Sequence, residues 1–154
     1  MYLTFMTRKP VAIEIAELRK RVRAAIDQSR RAAAARRVQV DQAAAAYTEL
    51  LENIAAPLAH MLANALRAEG YNFSVFTPNG GLRLASATSG DNFIEFALDT
   101  SQPEPVVMLR VNQARGRRVL QHERPLKGRT PVGQLTEEDV LQALLEELAP
   151  FVER

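Results

Sequence analysis

The first half of the chain carries one long helical pattern. From Val11 to Glu69 there is no Gly and only one Pro, and Ala, Leu, Arg, Glu and Gln, which favour helices, predominate. At about 100° per residue, apolar side chains recur on a single stripe through the segment. The stripe comprises Ile15, Leu18, Val22, Ile26, Ser29, Ala33, Val40, Ala44, Tyr47, Leu51, Ile54, Leu58, Leu62 and Ala65. Gly70 predicts the end of this helix, since glycine accepts the left-handed conformation that closes helices.

Two positions raise the question of whether this is one helix or two. Pro57 removes a helical hydrogen bond, but the stripe keeps its phase across it, which favours a kink over a loop. Alternatively, the chain turns back near residues 38–42, where Asp41 could cap a second helix. The apolar stripe is then buried against itself in a helical hairpin, or against a second copy or partner if the helix is continuous.

After Gly70 the apolar positions alternate with polar ones, which is typical of strands. Five short runs show this pattern, at residues 71–77, 82–88, 92–98, 105–111 and 117–123. Turn-forming segments separate them, including the NGG sequence at 79–81, which predicts a hairpin turn. In the third run we expect Ile94, Phe96 and Leu98 to face the core. The pattern predicts an antiparallel meander of four or five strands.

The last segment predicts a helix. Thr136 is a favourable N-cap, and Asp139 occupies the third helical position, as in a capping box. The apolar face predicted to pack on the sheet consists of Val140, Leu141, Leu144, Leu145 and Leu148. Pro150 is expected to end the helix.

Together these elements predict an α+β protein. It has a long N-terminal helix, which is either kinked or folded into a helical hairpin, then the antiparallel meander of four or five strands, then a C-terminal helix packed on the sheet. We divide the chain into an N-terminal extension (1–10), a helical segment that serves as an oligomerisation element (11–69) and a head of sheet plus C-terminal helix (70–154).

Composition narrows the class of protein. At 47% hydrophobic and 25% charged residues, the 154-residue chain is typical of a folded domain. The absence of Cys excludes disulfides and thiolate zinc sites and is compatible with a cytoplasmic location. No run approaches the roughly 18 apolar residues that span a bilayer, so we expect no membrane span.

Charge is distributed in blocks. Residues 1–40 carry ten basic and three acidic groups, whereas residues 41–109 carry two and eight. The signs then repeat, with seven basic and one acidic group in 110–129 and one basic and six acidic groups in 130–154. Such segregation can steer partners or pair one segment with another.

Two basic clusters are candidates for nucleic-acid binding. Arg19, Arg23, Arg30 and Arg37 form one row of the helix, which we place opposite the apolar stripe, and Arg115, Arg117 and Arg118 flank a turn. Both could contact phosphates, although no aromatic residues interleave with the helical row and no known motif surrounds it. The open alternatives are a solvated or acid-pairing helix face, an anionic membrane surface and a charged guard on a sheet edge.

Reactive groups are scarce. There are two histidines: His60 is predicted on the solvent side of the helix, and His122 and Glu123 are adjacent in a strand and so point to opposite faces. Asp91, Glu95 and Asp99 share a strand face, but residues four apart are about 13 Å from each other, too far for one metal shell. We expect Glu95 to face Arg110 across the sheet instead. No catalytic, cofactor-binding or metal-binding residue is predicted.

The resulting expectation is a non-enzymatic protein-protein interaction or assembly protein that self-associates through its long helix, most simply as a homodimer. The pattern identifies no other protein partner and no cofactor. The candidate interface residues are Leu18, Val22, Ile26, Ala33, Val40, Ala44 and Tyr47. The alternative is a nucleic-acid-associated protein that uses the two arginine clusters.

Overall fold

The computed structural model describes residues 11–153. The chain divides into two units, Met1–Arg37 and Val38–Arg154. The predicted N-terminal extension, 1–10, lies outside the described residues. The division at residue 69 into an oligomerisation element and a head stays a prediction.

Helix α1, Ile15–Leu50, runs without interruption through the 38–42 segment. The helical-hairpin alternative is therefore wrong, and Asp41 lies inside the helix instead of capping a new one. The reason is local: between Ile15 and Leu50 no Gly or Pro weakens the helix, and alanine runs on both sides of 38–42 favour its continuation.

A π-helical turn precedes the proline. It spans Leu51–Ala55, and the N–H of Ala56 donates to the carbonyl of Leu51, five residues back. Helix α2, Ala56–Ala68, follows with Pro57 in its first turn, where a missing N–H is tolerated. The wider turn lets the chain pass Pro57 without a loop, as predicted, since a single π turn can be inserted into an α-helix without ending it.

The π turn also shifts the buried face by about one residue, because it winds less per residue than an α-helix. Leu58 and Leu62 keep their predicted inward position. At the far end of α2, however, Leu66 is buried and Ala65 is exposed, so the predicted stripe is wrong at Ala65.

Gly70 ends α2 as predicted. Its φ is 91°, its N–H donates to the Arg67 carbonyl at 3.0 Å, and the N–H of Tyr71 donates to the Leu66 carbonyl at 2.9 Å. This pair of bonds is a Schellman motif, which requires the left-handed backbone that glycine adopts without strain.

The sheet is a five-stranded antiparallel meander, at the upper end of the predicted strand number. Its strands are β1 (Phe73–Phe76), β2 (Leu82–Ser86), β3 (Phe93–Asp99), β4 (Val106–Arg115) and β5 (Arg118–Pro125), hydrogen-bonded in chain order. Ile94 and Phe96 are buried and Leu98 is half-buried, which confirms the predicted inward face of β3.

Helix α3, Glu137–Val152, begins with the predicted capping box. The Thr136 hydroxyl accepts from the Asp139 N–H at 3.2 Å, and the Asp139 carboxylate accepts from the Thr136 N–H at 3.0 Å. Val140, Leu144 and Leu148 are buried as predicted, but Leu145 is 48% exposed. The inward face is completed by two other residues, Ala143 and Glu147.

Pro150 lies inside α3, so the prediction that it ends the helix is wrong. Tertiary contacts hold the last turn in place. The Gln113 amide donates to the Pro150 carbonyl at 3.2 Å, and the Tyr71 hydroxyl donates to the Val152 carbonyl at 3.0 Å. These partners satisfy carbonyls that a helix end leaves free.

One core holds residues 38–153 together. The buried side chains of α2, α3 and the end of α1 form a single cluster with one face of the sheet. Members of this core include Leu50, Leu51, Leu58, Leu66, Leu84, Ile94, Leu109, Val140 and Leu144. None of the described helices combines the length and the apolar character needed to cross a membrane.

Candidate self-association surface

The N-terminal part of α1 exposes apolar side chains. Every residue from 11 to 38 is exposed. Leu18, Val22 and Ile26 retain 51%, 49% and 45% of their accessible surface, and Ile15 retains 70%. The apolar side chains on this part of the predicted stripe are therefore accessible. We refer to Ile15, Leu18, Val22, Ile26 and Ala33 as the apolar stripe.

The predicted interface residues fall into two groups. Leu18, Val22, Ile26, Ala33 and Ala44 are exposed and available to a partner, whereas Val40 and Tyr47 are half-buried. Tyr47 packs against the core of residues 38–153, and its hydroxyl is buried without a hydrogen-bond partner among the described residues. Burial, assisted by the charge of Glu95, raises the pKa of Tyr47 to about 12.

The arginine row borders the apolar stripe and does not lie opposite it. In the continuous helix, Ile26 comes three residues after Arg23 and four before Arg30, the spacing of neighbours on one helix face. The predicted placement on the far side was therefore wrong. A partner that covers the stripe also meets the guanidinium groups beside it.

These arginines carry uncompensated charge. Residues 11–37 hold eight basic and three acidic groups, a net charge of +5. Among the described residues, Arg19, Arg23, Arg30 and Arg37 form no ion pair, and the exposed contact between Arg21 and Glu17 at 3.2 Å joins two other residues of the same helix. Exposed ion pairs of this type contribute little to the stability of the folded protein.

The second basic cluster surrounds the β4–β5 turn. Arg115 and Arg118 lie directly opposite each other in the register, and Gly116 between them has a φ of 60°. Like charges in this position repel. Glu153 lies 3.6 Å from Arg115, while Arg117 and Arg118 are exposed and form no ion pair within the described chain. Both the anion-binding and the edge-guarding interpretations of this cluster stay open.

A polar cluster that the sequence analysis missed joins β5 to α3. His122 Nε2 lies 2.8 Å from Glu147 Oε2, and Arg124 Nη1 donates to Glu146 at 2.6 Å. Arg124 Nε is also 3.4 Å from Glu147, at an angle unsuitable for a hydrogen bond. Period-two alternation places His122 and Arg124 on the core side of an edge strand, a signal that could have predicted acidic partners on the facing helix.

No nucleophilic side chain of the described residues contacts this cluster. Glu147 is buried and orients the imidazole of His122, but no hydroxyl side chain of the described residues hydrogen-bonds to that ring, and the chain has no Cys. His60 is exposed on α2, as predicted. Nucleophilic catalysis needs a nucleophile in contact with its base.

Two of the three carboxylates considered for a metal site have other partners. Glu95 stands opposite Arg110 in the register, as predicted, but its ion pair is with Arg83 at 3.2 Å. The pKa of Asp99 is lowered by hydrogen bonds from Ser101, whose hydroxyl lies at 2.6 Å. No group of three potential ligands among residues 11–153 could hold a metal ion.

No family model, curated protein or solved structure matches this chain. The most distinctive surface of the described residues is the exposed apolar stripe with its bordering arginines.

Proposed function

We propose that this protein is a non-enzymatic assembly protein that self-associates through the apolar stripe. The observation that carries the proposal is the exposure of Leu18, Val22 and Ile26 in one row of α1. An amphipathic helix in a protein gains most of its stability from packing of its apolar face. The apolar face of residues 11–37 is exposed, so we expect a partner molecule to supply this packing.

Burial of the apolar stripe supplies part of the free energy of association. Complete burial of a Val, Leu or Ile side chain contributes about 1.5–3 kcal/mol, and these side chains are about half exposed, so each retains about 1 kcal/mol to gain. Two copies contribute equally in a symmetric pair. A homodimer is the simplest assembly, and a cytoplasmic location is part of the same proposal because the chain has no Cys.

The test is the molar mass by light scattering during size-exclusion chromatography, over a wide range of concentrations and at low and high salt. A mass above that of the 17.1 kDa chain is expected, and it should persist at high salt because apolar burial does not depend on charge. A monomeric mass at every concentration would contradict the proposal.

Variants locate the interface. Leu18→Gln, Val22→Gln and Ile26→Gln combined should produce a monomer, because three amides replace the apolar stripe. The matched control carries three glutamines on the far side of the same helix, Ala24→Gln, Arg31→Gln and Ala35→Gln, and should keep the wild-type mass. Neither set disturbs buried contacts, since all six residues are exposed. Equal masses for the two variants would exclude the stripe as the interface.

A second candidate function is nucleic-acid binding, favoured by the row of exposed arginines without ion pairs among the described residues. Binding of a random DNA duplex, followed by fluorescence anisotropy, should weaken steeply as salt rises. Replacing Arg23 and Arg30 with Gln should not unfold the protein. It should reduce the slope of log affinity against log salt concentration by the amount expected for the loss of about two phosphate contacts. Affinity that neither salt nor these substitutions change would refute the role of the row.

A further inference from the structure

The two units carry opposite charge. Residues 11–37 have a net charge of +5, whereas residues 38–153 hold nine basic and 15 acidic groups, a net charge of −6. Packing two apolar stripes against each other brings two arginine rows together, and like charges at close range repel. An acidic surface next to an apolar groove is a better counterpart for a stripe bordered by arginines.

Such a surface exists on the second unit. Asp41, Glu49 and Glu52 are exposed and form no ion pair with any described residue, although six other carboxylates of the unit are paired. Glu49 and Glu52 are three residues apart, and Asp41 precedes Glu49 by eight, so the three lie on the same side of the helix. We name Asp41, Glu49 and Glu52 the acidic face.

Two grooves adjoin the acidic face, and each combines apolar walls with one of its carboxylates. The larger, about 270 Å³, is lined by Leu51, Ala56 and Leu82 together with Glu52. The smaller, about 170 Å³, is lined by Leu50, Ile54 and Leu135 together with Glu49. Apolar walls with a carboxylate are the chemical complement of the Leu18 and Val22 side chains beside Arg19 and Arg23.

We propose that the arginine-bordered apolar stripe of one copy docks on the acidic face of residues 38–153 of a second copy. This inference rests on the proposed self-association and names the surface that receives the helix. Leu18 and Val22 pack on the apolar wall of a groove that flanks the acidic face, and Arg19 and Arg23 pair with Glu49 and Glu52. Arg19 and Glu49 both belong to α1, and side chains on one helix meet only when three or four residues apart, so this contact joins two molecules.

Charge reversal separates this arrangement from packing of stripe on stripe. The first variant carries Arg19→Glu and Arg23→Glu, and the second carries Glu49→Arg and Glu52→Arg. Each alone should weaken self-association by about tenfold or more, because like charges then face each other. An equimolar mixture of the two should recover the wild-type mass, since every contact in a mixed pair is again complementary. Light-scattering mass at low salt is the readout.

The matched control reverses two other exposed carboxylates of the same unit, Glu69→Arg and Glu104→Arg, and changes net charge by the same amount. It should leave self-association at the wild-type level. Circular dichroism and the midpoint of urea unfolding verify that every variant is folded.

The outcomes distinguish the two proposals. A monomeric wild type overturns both. A wild-type oligomer that is unaffected by Glu49→Arg and Glu52→Arg overturns the acidic face as the docking surface while self-association stands. If the two charge-reversed variants do not associate when mixed, the inference is also overturned. Docking of the helix on the acidic face requires that the mixture recover the wild-type mass.

Discussion

His122 Nε2 and Glu147 Oε2 are 2.8 Å apart, and this contact ties the edge strand β5 to helix α3. The two partners differ in burial: the side chain of Glu147 is 10% exposed and that of His122 is 52% exposed. A buried carboxylate depends on its hydrogen bonds, because the desolvation cost of the charge is offset only by its partners. The contact therefore stabilises the folded protein mainly because it gives the buried Glu147 carboxylate a hydrogen-bond partner.

Replacing Glu147 with Gln should lower the free energy of unfolding by about 1.5–3 kcal/mol, the range for hydrogen bonds to charged groups. His122→Gln should lower it by less, since water replaces the lost contact on the exposed side. Urea denaturation at neutral pH measures both, with His60→Gln as the exposed control. Equal and negligible effects at 122 and 147 would show that the pair does not stabilise α3.

Tyr47 carries a hydroxyl that is buried without a partner among the described residues. Tyr47→Phe should therefore leave the free energy of unfolding unchanged or raise it slightly, because it removes an unsatisfied group without loss of ring packing. Tyr71→Phe is the matched control: it loses the bond to the Val152 carbonyl and should cost about 1 kcal/mol. Urea denaturation measures both variants. A greater loss of stability for Tyr47→Phe than for Tyr71→Phe would contradict the conclusion that the Tyr47 hydroxyl has no partner.

The same residue predicts a pH dependence. Burial raises the pKa of Tyr47 from 10.0 to about 12, so the unfolded chain loses this proton before the native protein does. The contribution of Tyr47 is fully present below pH 10 and is lost as pH rises from 10 toward about 12. Stability measured across this window should fall less steeply for Tyr47→Phe than for the wild type. Identical slopes would show that Tyr47 does not titrate differently on folding.

Two arginines of the sheet, Arg83 and Arg110, form ion pairs that differ in burial. A row of alternating charges crosses four strands, from Arg83 through Glu95 and Arg110 to Glu123, each opposite the next in the register. The Arg83–Glu95 pair is partly buried, and Arg83 also lies 4.0 Å above the Phe93 ring. Arg110 and Glu123 are both more than half exposed.

We therefore expect Arg83→Gln to lower the free energy of unfolding by about 1–2 kcal/mol and Arg110→Gln by less than about 0.5 kcal/mol. Raising the salt concentration should reduce the smaller effect further, because exposed pairs are screened. Urea denaturation at two salt concentrations measures both. A larger decrease in the free energy of unfolding for Arg110→Gln than for Arg83→Gln would contradict this prediction.

The capping box of α3 contributes stability that depends on pH in the acidic range. Hydrogen bonds from the Thr136 N–H, and then from Lys127, lower the pKa of Asp139 below its ordinary value of 3.8. The stabilisation is present above that value and is lost as pH falls through the lower native pKa. Asp139→Asn should make unfolding less dependent on pH in this acidic range. An unchanged acid dependence would show that other carboxylates determine it.

Thr136→Ala removes the other half of the box and should cost about 1 kcal/mol at neutral pH. Thermal unfolding followed by circular dichroism measures the effect. Thr48→Ala is the matched control, because the Thr48 hydroxyl only donates to a carbonyl of its own helix, that of Ala44, and the substitution favours helix. A stabilising Thr136→Ala would contradict a capping role.

Sequence reasoning was less successful where two elements meet. The helix-breaking tendency of Pro150 is local, but Gln113 and Tyr71 hold the last turn from outside the helix. Leu145 and Glu147 differ from the predicted pattern because periodicity counts only apolar residues. The packing of α3 against β4 and the π turn determines which side of the helix faces inward. The contact between His122 and Glu147 joins residues 25 positions apart, which spacing rules do not reach.

Local chemistry by itself determined much of this protein: the continuous preference for helix before Gly70, the alternation that forms the meander, the turn and cap residues, and the separation of charge. These depend on backbone conformation and on side chains close in sequence. Only the tertiary structure decided that Tyr47 packs on the core while Leu18, Val22 and Ile26 stay exposed. The physical reason is that one apolar stripe has the same periodicity whether it is buried or not, and burial depends on which elements reach it.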